Sequence, residues 1–223
     1  MLYSNTMTVE WPPSGYSSPR EYKSNERWML AIGLSLIPPL FVLTRVKVGI
    51  GASLFVNWGG QVGRASGLST HPLLLLLMTF IAALFWILVS GAIIITIHEV
   101  VHYTIGALLR VNPRFEFHTM LFLPNPSVVA YYEGISRGEN IAMLSGPFVV
   151  LSLVCASVMW LTSGFVAATA AVMFAINAAA SCGDLYNVGR VTTMPQGTLF
   201  ANFDEDEGLR TEVATPESGT EVL

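Results

Sequence analysis

The sequence predicts an all-α membrane protein of about four transmembrane helices, with a β-hairpin between the second and third. Three observations carry that prediction. Of 223 residues, 52% are hydrophobic and only 12% are charged, with a mean hydropathy of +0.57, whereas soluble domains carry about 25% charged residues. Apolar runs matching the roughly 20 residues needed to cross a bilayer recur along the chain. Between two of them the pattern changes to one rich in β-formers. The chain is therefore expected to comprise a polar N-terminal segment (1–27), an integral membrane domain (28–195) and an acidic tail (196–223).

Taken in order, the first stretch, "MLYSNTMTVEWPPSGYSSPREYKSNER", is polar and lacks the apolar core of a signal peptide. The first apolar segment runs from Trp28 to Thr44, where Pro38 and Pro39 should kink it. The Gly-rich, mixed stretch that follows, from Arg45 to His71, reads as a connecting loop. The second segment, Pro72 to Leu109, would be about 55 Å long as one helix at 1.5 Å per residue, longer than a bilayer core. Only Ser90 and Gly91 interrupt its middle, so one long protruding helix is expected rather than two spans.

Beyond it, "RFEFHTMLF" and "SVVAYYE" read as strands, with "LPNPS" as the turn between them. The third span should run from Glu139 to Leu161 and the fourth from Phe165 to Val191, antiparallel because "TSG" leaves so short a connection. The final stretch, "DEDEGLRTEVATPESGTEVL", carries much of the net charge of -4 and reads as a solvated, disordered tail.

Four spans would place both termini and the hairpin on one side. Arg20, Lys23, Arg27, Arg110, Arg114, Arg137, Arg190 and Arg210 fall on that side, against Arg45, Lys47 and Arg64 on the other. The excess of basic residues predicts that the termini and hairpin face the cytoplasm at the cell membrane. Cys155 and Cys182 lie far apart within apolar segments and suggest no disulfide framework. The partner implied by composition is the lipid bilayer, and nothing points to nucleic acid.

The chemistry is concentrated in very few residues. Of fifteen acidic residues, only Glu99 and Asp184 fall within the apolar helices, where a carboxylate is costly unless paired, protonated or metal-bound. His98, Glu99 and His102 form H-E-V-V-H, the arrangement of a zinc-binding helix in metalloproteases. Residues four apart lie about 40° from each other around a helix, so both imidazoles can face one ion, with Glu99 beside them. Glu99 would act as general base toward a water whose pKa the metal lowers to about 7, then return the proton to the leaving amine.

A catalytic zinc usually has three protein ligands. Leu108 stands where the extended metzincin pattern has a third histidine. His71 lies about 40 Å from His98 along a continuous helix and reads as a loop residue. His118, Glu133 and Glu139 could each fold back. Asp184 is better placed: counted inward from Pro72 and from Phe165, the second and fourth spans bring the histidines and Asp184 to similar depth near the cytoplasmic boundary. As a non-metal alternative, Asp184 is a helix-end hydrogen-bonding residue. Asn177, on the same helical face as Asp184 and two turns deeper, could bind a substrate backbone or make an interhelical hydrogen bond. Gly146 would allow close helix approach and Pro147 would free a carbonyl, as suits a helix packed beside the metal helix or any small-residue contact.

The order of these features, HExxH on one span, Gly-Pro on the next, then Asn and Asp on another, resembles the site-2 protease group of intramembrane zinc metalloproteases. It is closer still to a family of zincin membrane peptidases related to them, in which "GD" recurs near the end of the last helix. The likeness covers roughly residues 73 to 190. It implies that His98, His102 and Asp184 bind zinc, that Glu99 is catalytic, and that Asn177, Gly146 and Pro147 line the substrate site. One departure stands out: site-2 proteases carry N-x-x-P and L-D-G, and this chain reads "NAAASCGDLYN".

The expected activity is hydrolysis of peptide bonds in membrane or membrane-proximal protein or peptide substrates near the cytoplasmic face. The segment from Arg114 to Glu133 would hold an unwound substrate by strand addition. The alternative is a non-proteolytic membrane metal-binding protein, a scaffold or sensor, using the same ligands.

Overall fold

The computed structural model describes residues 11–67, 71–120, 123–131, 134–205 and 208–217. The chain runs β1 (Arg20–Glu21), α1 (Glu26–Ala65), α2 (Pro72–Leu109), β2 (Pro113–Met120), β3 (Leu123–Ala130), β4 (Ile135–Ser136), α3 (Arg137–Leu161), α4 (Gly164–Ala180), α5 (Cys182–Thr192), β5 (Leu199–Glu205) and β6 (Gly208–Ala214). Helix dominates, accompanied by two small sheets. Among the described residues, three helices, Arg27–Ala65, Pro72–Leu109 and Arg137–Leu161, are long and apolar enough to cross a membrane, with a fourth span if α4 and α5 count as one, bent by 47°. These helices are compatible with an integral membrane protein.

The residues form two compact units whose divisions fall inside helices. One contains 27–101 and 147–183; the other contains 1–26, 102–146 and 184–223.

Among the described residues, the regular structure of the first unit is helical. Its helices turn large apolar side chains outward, with Leu73 81% and Trp160 75% exposed, as expected of helices that are hydrophobic all round. The stretch after Thr44, expected as a loop, is the second half of α1, which runs on through Pro38 and Pro39. Its glycines mark contacts rather than breaks. A Cβ on Gly51 would come within 2.8 Å of the Ala168 Cβ, and one on Gly63 within 2.7 Å of Leu75, so small residues here let helices approach closely. Trp86 packs with Ala168 and Val172, and its indole donates to Thr169 Oγ1 at 3.0 Å. A further cluster of Ile94, Leu151 and Cys155, with Val101 and Met173 against it, packs around the turns of α2 that carry the His-Glu motif.

The second unit holds the sheets. The four-stranded sheet has the order β1-β6-β5-β4, with β5 and β6 antiparallel from Leu199↔Ala214 to Glu205↔Gly208. Its strands include acidic sequence expected to be disordered. Charge dominates the composition there, but Phe200, Ala201 and Ala214 are buried, and Phe200 joins a core with Val111, Ala130, Ile135, Met143 and Val191. The polar N-terminal segment likewise supplies β1, paired with β6 through Arg20↔Val213.

Between α2 and α3, β2 and β3 pair from Pro113↔Ala130 to Met120↔Leu123. The "LPNPS" stretch, read as the turn, lies within β3. Proline is tolerated because each strand of a two-stranded ribbon is an edge.

Candidate metal centre

The centre begins on α2. His98 and His102 are one turn apart on one face of this uninterrupted helix. His98 is 3% exposed, His102 is 8% exposed, and Glu99 between them is half-buried. Burying an imidazole requires its polar atoms to be satisfied.

Each histidine uses Nδ1 for this. His98 Nδ1 lies 3.1 Å from Asn177 Oδ1, and the Asn177 amide donates onward to Ser152 Oγ at 3.3 Å. Asn177 is 1% exposed, and both ends of its side chain are engaged. His102 Nδ1 lies 2.9 Å from the Met143 carbonyl oxygen. A carbonyl can only accept, so Nδ1 carries a hydrogen, and in a neutral ring the lone pair is then on Nε2. Holding one ring nitrogen as donor so that the other can bind metal is the usual support for a ligating histidine.

Asp184 reaches the same place from α5. The predicted fourth span is broken: α4 stops at Ala180, and the Ser181 N–H donates to the Asn177 carbonyl at 2.9 Å. The Ser181 hydroxyl donates to that carbonyl too, at 2.8 Å. A new helix begins at Cys182 with Asp184 in its first turn. The N-terminal segment braces this helix through Tyr22, whose hydroxyl donates to Asn187 Oδ1 at 3.0 Å and whose ring lies 4.2 Å from the Arg190 guanidinium. Burial raises the Tyr22 pKa above its ordinary value, opposed by Arg190, and the phenol remains a donor.

Asp184 Oδ2 stands 3.3 Å from His102 Nε2. With Nδ1 hydrogen-bonded to Met143, this sets a ring lone pair opposite a carboxylate oxygen, an arrangement that calls for a proton or a cation between them. Two ligand atoms about 2.0 to 2.2 Å from a tetrahedral ion lie about 3.3 to 3.5 Å apart, which matches. His98 precedes His102 by one turn of the same helix, and the ligand atoms of His98, His102 and Asp184 all lie within 4.8 Å of one another. Two imidazoles and one carboxylate fit zinc, and three protein ligands leave a position open. The Asp184 side chain keeps 21% of its surface exposed.

The other residues considered for the site lie elsewhere. Glu139 caps α3, its carboxylate accepting from the Ser136 N–H at 2.8 Å while its own N–H donates to Ser136 Oγ. His71 is exposed ahead of α2. His118 lies on β2 opposite Asn125, with its side chain outside the described residues, as is Glu133 entirely. Gly146 faces Ile105, whose Cδ1 would be 2.0 Å from an added Cβ, and Pro147 is fully buried within α3. Sequence reasoning missed Met143, whose contribution is a main-chain carbonyl, and Ser152 and Ser181, small hydroxyls common in apolar helices.

Residues 91–199, just under half of the chain, match the model of a family described as "Putative zincin peptidase". The match supports a zincin-like family. It spans both motif histidines, Glu99, the Gly146-Pro147 pair, Asn177 and Asp184, and suggests zinc metallopeptidase activity. No curated protein and no solved structure matches the chain.

Proposed function

We propose that the protein is a zinc-dependent, membrane-embedded endopeptidase of the site-2 protease type, acting on membrane or membrane-proximal peptides near the cytoplasmic face of the cell membrane. The observation that carries this reading is the convergence of His98, His102 and Asp184, with Nδ1 of each histidine already engaged. Glu99, which follows His98 in the H-E-V-V-H sequence of α2, would be the group that transfers the proton. Zinc bound there would supply Lewis acidity, lowering the pKa of water and polarising a substrate carbonyl.

The chain's own residues do the rest. Asn177 and the Met143 carbonyl orient the imidazoles, Glu99 takes the proton from the attacking water, and the same carboxylic acid returns it to the departing amine. A transmembrane substrate hides its amides in its own helix and must unwind before attack. The β2–β3 ribbon, two-stranded among the described residues, would offer unwound chain an edge to pair with.

Glu99→Gln tests the reading. This variant is expected to hold zinc like wild type and to lose cleavage of a membrane-reconstituted substrate by about 100-fold or more, in the range associated with a general base. Cleavage at the wild-type rate in this variant would exclude Glu99 as the general base, and wild type that binds zinc without cleaving would leave a metal-binding protein.

A further inference from the structure

The partner of His102 is unusual in kind. A carbonyl inside a continuous α-helix normally accepts the N–H four residues later, and α3 runs unbroken from Arg137 to Leu161. For Met143 that later residue is Pro147. Proline has no N–H, and its ring also crowds the carbonyl four residues back, pushing it away from the helix axis. In the interior of α3, the main-chain acceptor that loses its regular donor to Pro147 is therefore the acceptor that His102 Nδ1 meets at 2.9 Å.

Gly146 adds the second requirement, proximity. It faces Ile105 so closely that a Cβ there would stand 2.0 Å from the Ile105 Cδ1, and Ile105 is three residues past His102 on the same side of α2. Pro147 itself is buried and offers no polar atom to a substrate.

We propose that Pro147 is a positioning residue for His102. By withholding its N–H it frees the Met143 carbonyl, which fixes the hydrogen of His102 on Nδ1 and leaves Nε2 to face Asp184. The consequence for zinc rests on the metal-site reading above, whereas the tautomer does not. A residue whose only role is packing would change stability and leave the tautomer alone.

The test uses full-length protein in detergent, labelled with 15N at its four histidines, with His102 assigned through His102→Gln. In metal-free wild type, His102 is expected as the Nδ1–H tautomer. In Pro147→Ala, the regained N–H competes for the Met143 carbonyl. The His102 signals should move toward a mixture of tautomers, and zinc affinity by chelator competition should fall about 10- to 100-fold, the usual cost of losing such support. The thermal midpoint of the metal-free variant should not fall, because alanine restores a helical hydrogen bond.

A His102 held as the Nε2–H tautomer in wild type overturns the proposal, and that reading needs no variant to fold. An unchanged tautomer in Pro147→Ala overturns it as well, whatever happens to affinity. Wild-type protein that takes up no zinc refutes the metal site instead, and leaves the Pro147 link to be judged by the tautomer alone.

Discussion

His98 and His102 stand one turn apart on the same helix face, yet they are held in different ways. His98 is 3% exposed and meets a side-chain amide, Asn177, itself tied to Ser152. His102 meets a main-chain carbonyl, that of Met143, and on its other nitrogen faces a partly exposed carboxylate, that of Asp184. One support is written in the sequence as a polar residue in an apolar helix. The other is written only as a proline four residues downstream.

That difference can be broken or sharpened by substitution. The larger effect should come from Asn177→Leu, which conserves bulk but leaves the buried His98 Nδ1–H without its acceptor. Zinc affinity is expected to fall about 10- to 100-fold, measured by chelator competition. Wild-type affinity in that variant would mean that packing alone positions His98. The smaller effect should come from Met143→Leu, since a Leu–Met exchange is among the best-tolerated core changes and the carbonyl remains. Zinc affinity close to wild type is expected in the same assay. A loss as large as that of Asn177→Leu would show that the Met143 side chain matters and would erase the contrast.

The same contrast explains what could be read from the sequence. The motif helix was legible because Pro72–Leu109 is continuously apolar and His98, Glu99 and His102 are conspicuous within it. Residue counting also set Asp184 level with the histidines, and Asp184 Oδ2 stands 3.3 Å from His102 Nε2. The break that starts α5 was not legible, because Ser181 and Gly183 are ordinary in membrane helices and no proline marks the bend. The Gly-rich half of α1 was misread because Gly51 and Gly63 serve close helix contact, a meaning that depends on Ala168 and Leu75 across the contact. The β5–β6 pair was misread because its inward residues, Phe200, Ala201 and Ala214, are few among many charges. In the β2–β3 ribbon, prolines that usually signal a turn lie on an edge strand.

At the centre of the proposed chemistry are three side chains sharing one ion, and the zinc content of purified full-length protein tests that most directly. Wild type and His118→Ala are expected to carry one zinc per chain, and His98→Ala and Asp184→Ala to carry none. Zinc retained by Asp184→Ala but lost from His118→Ala would contradict the centre described here.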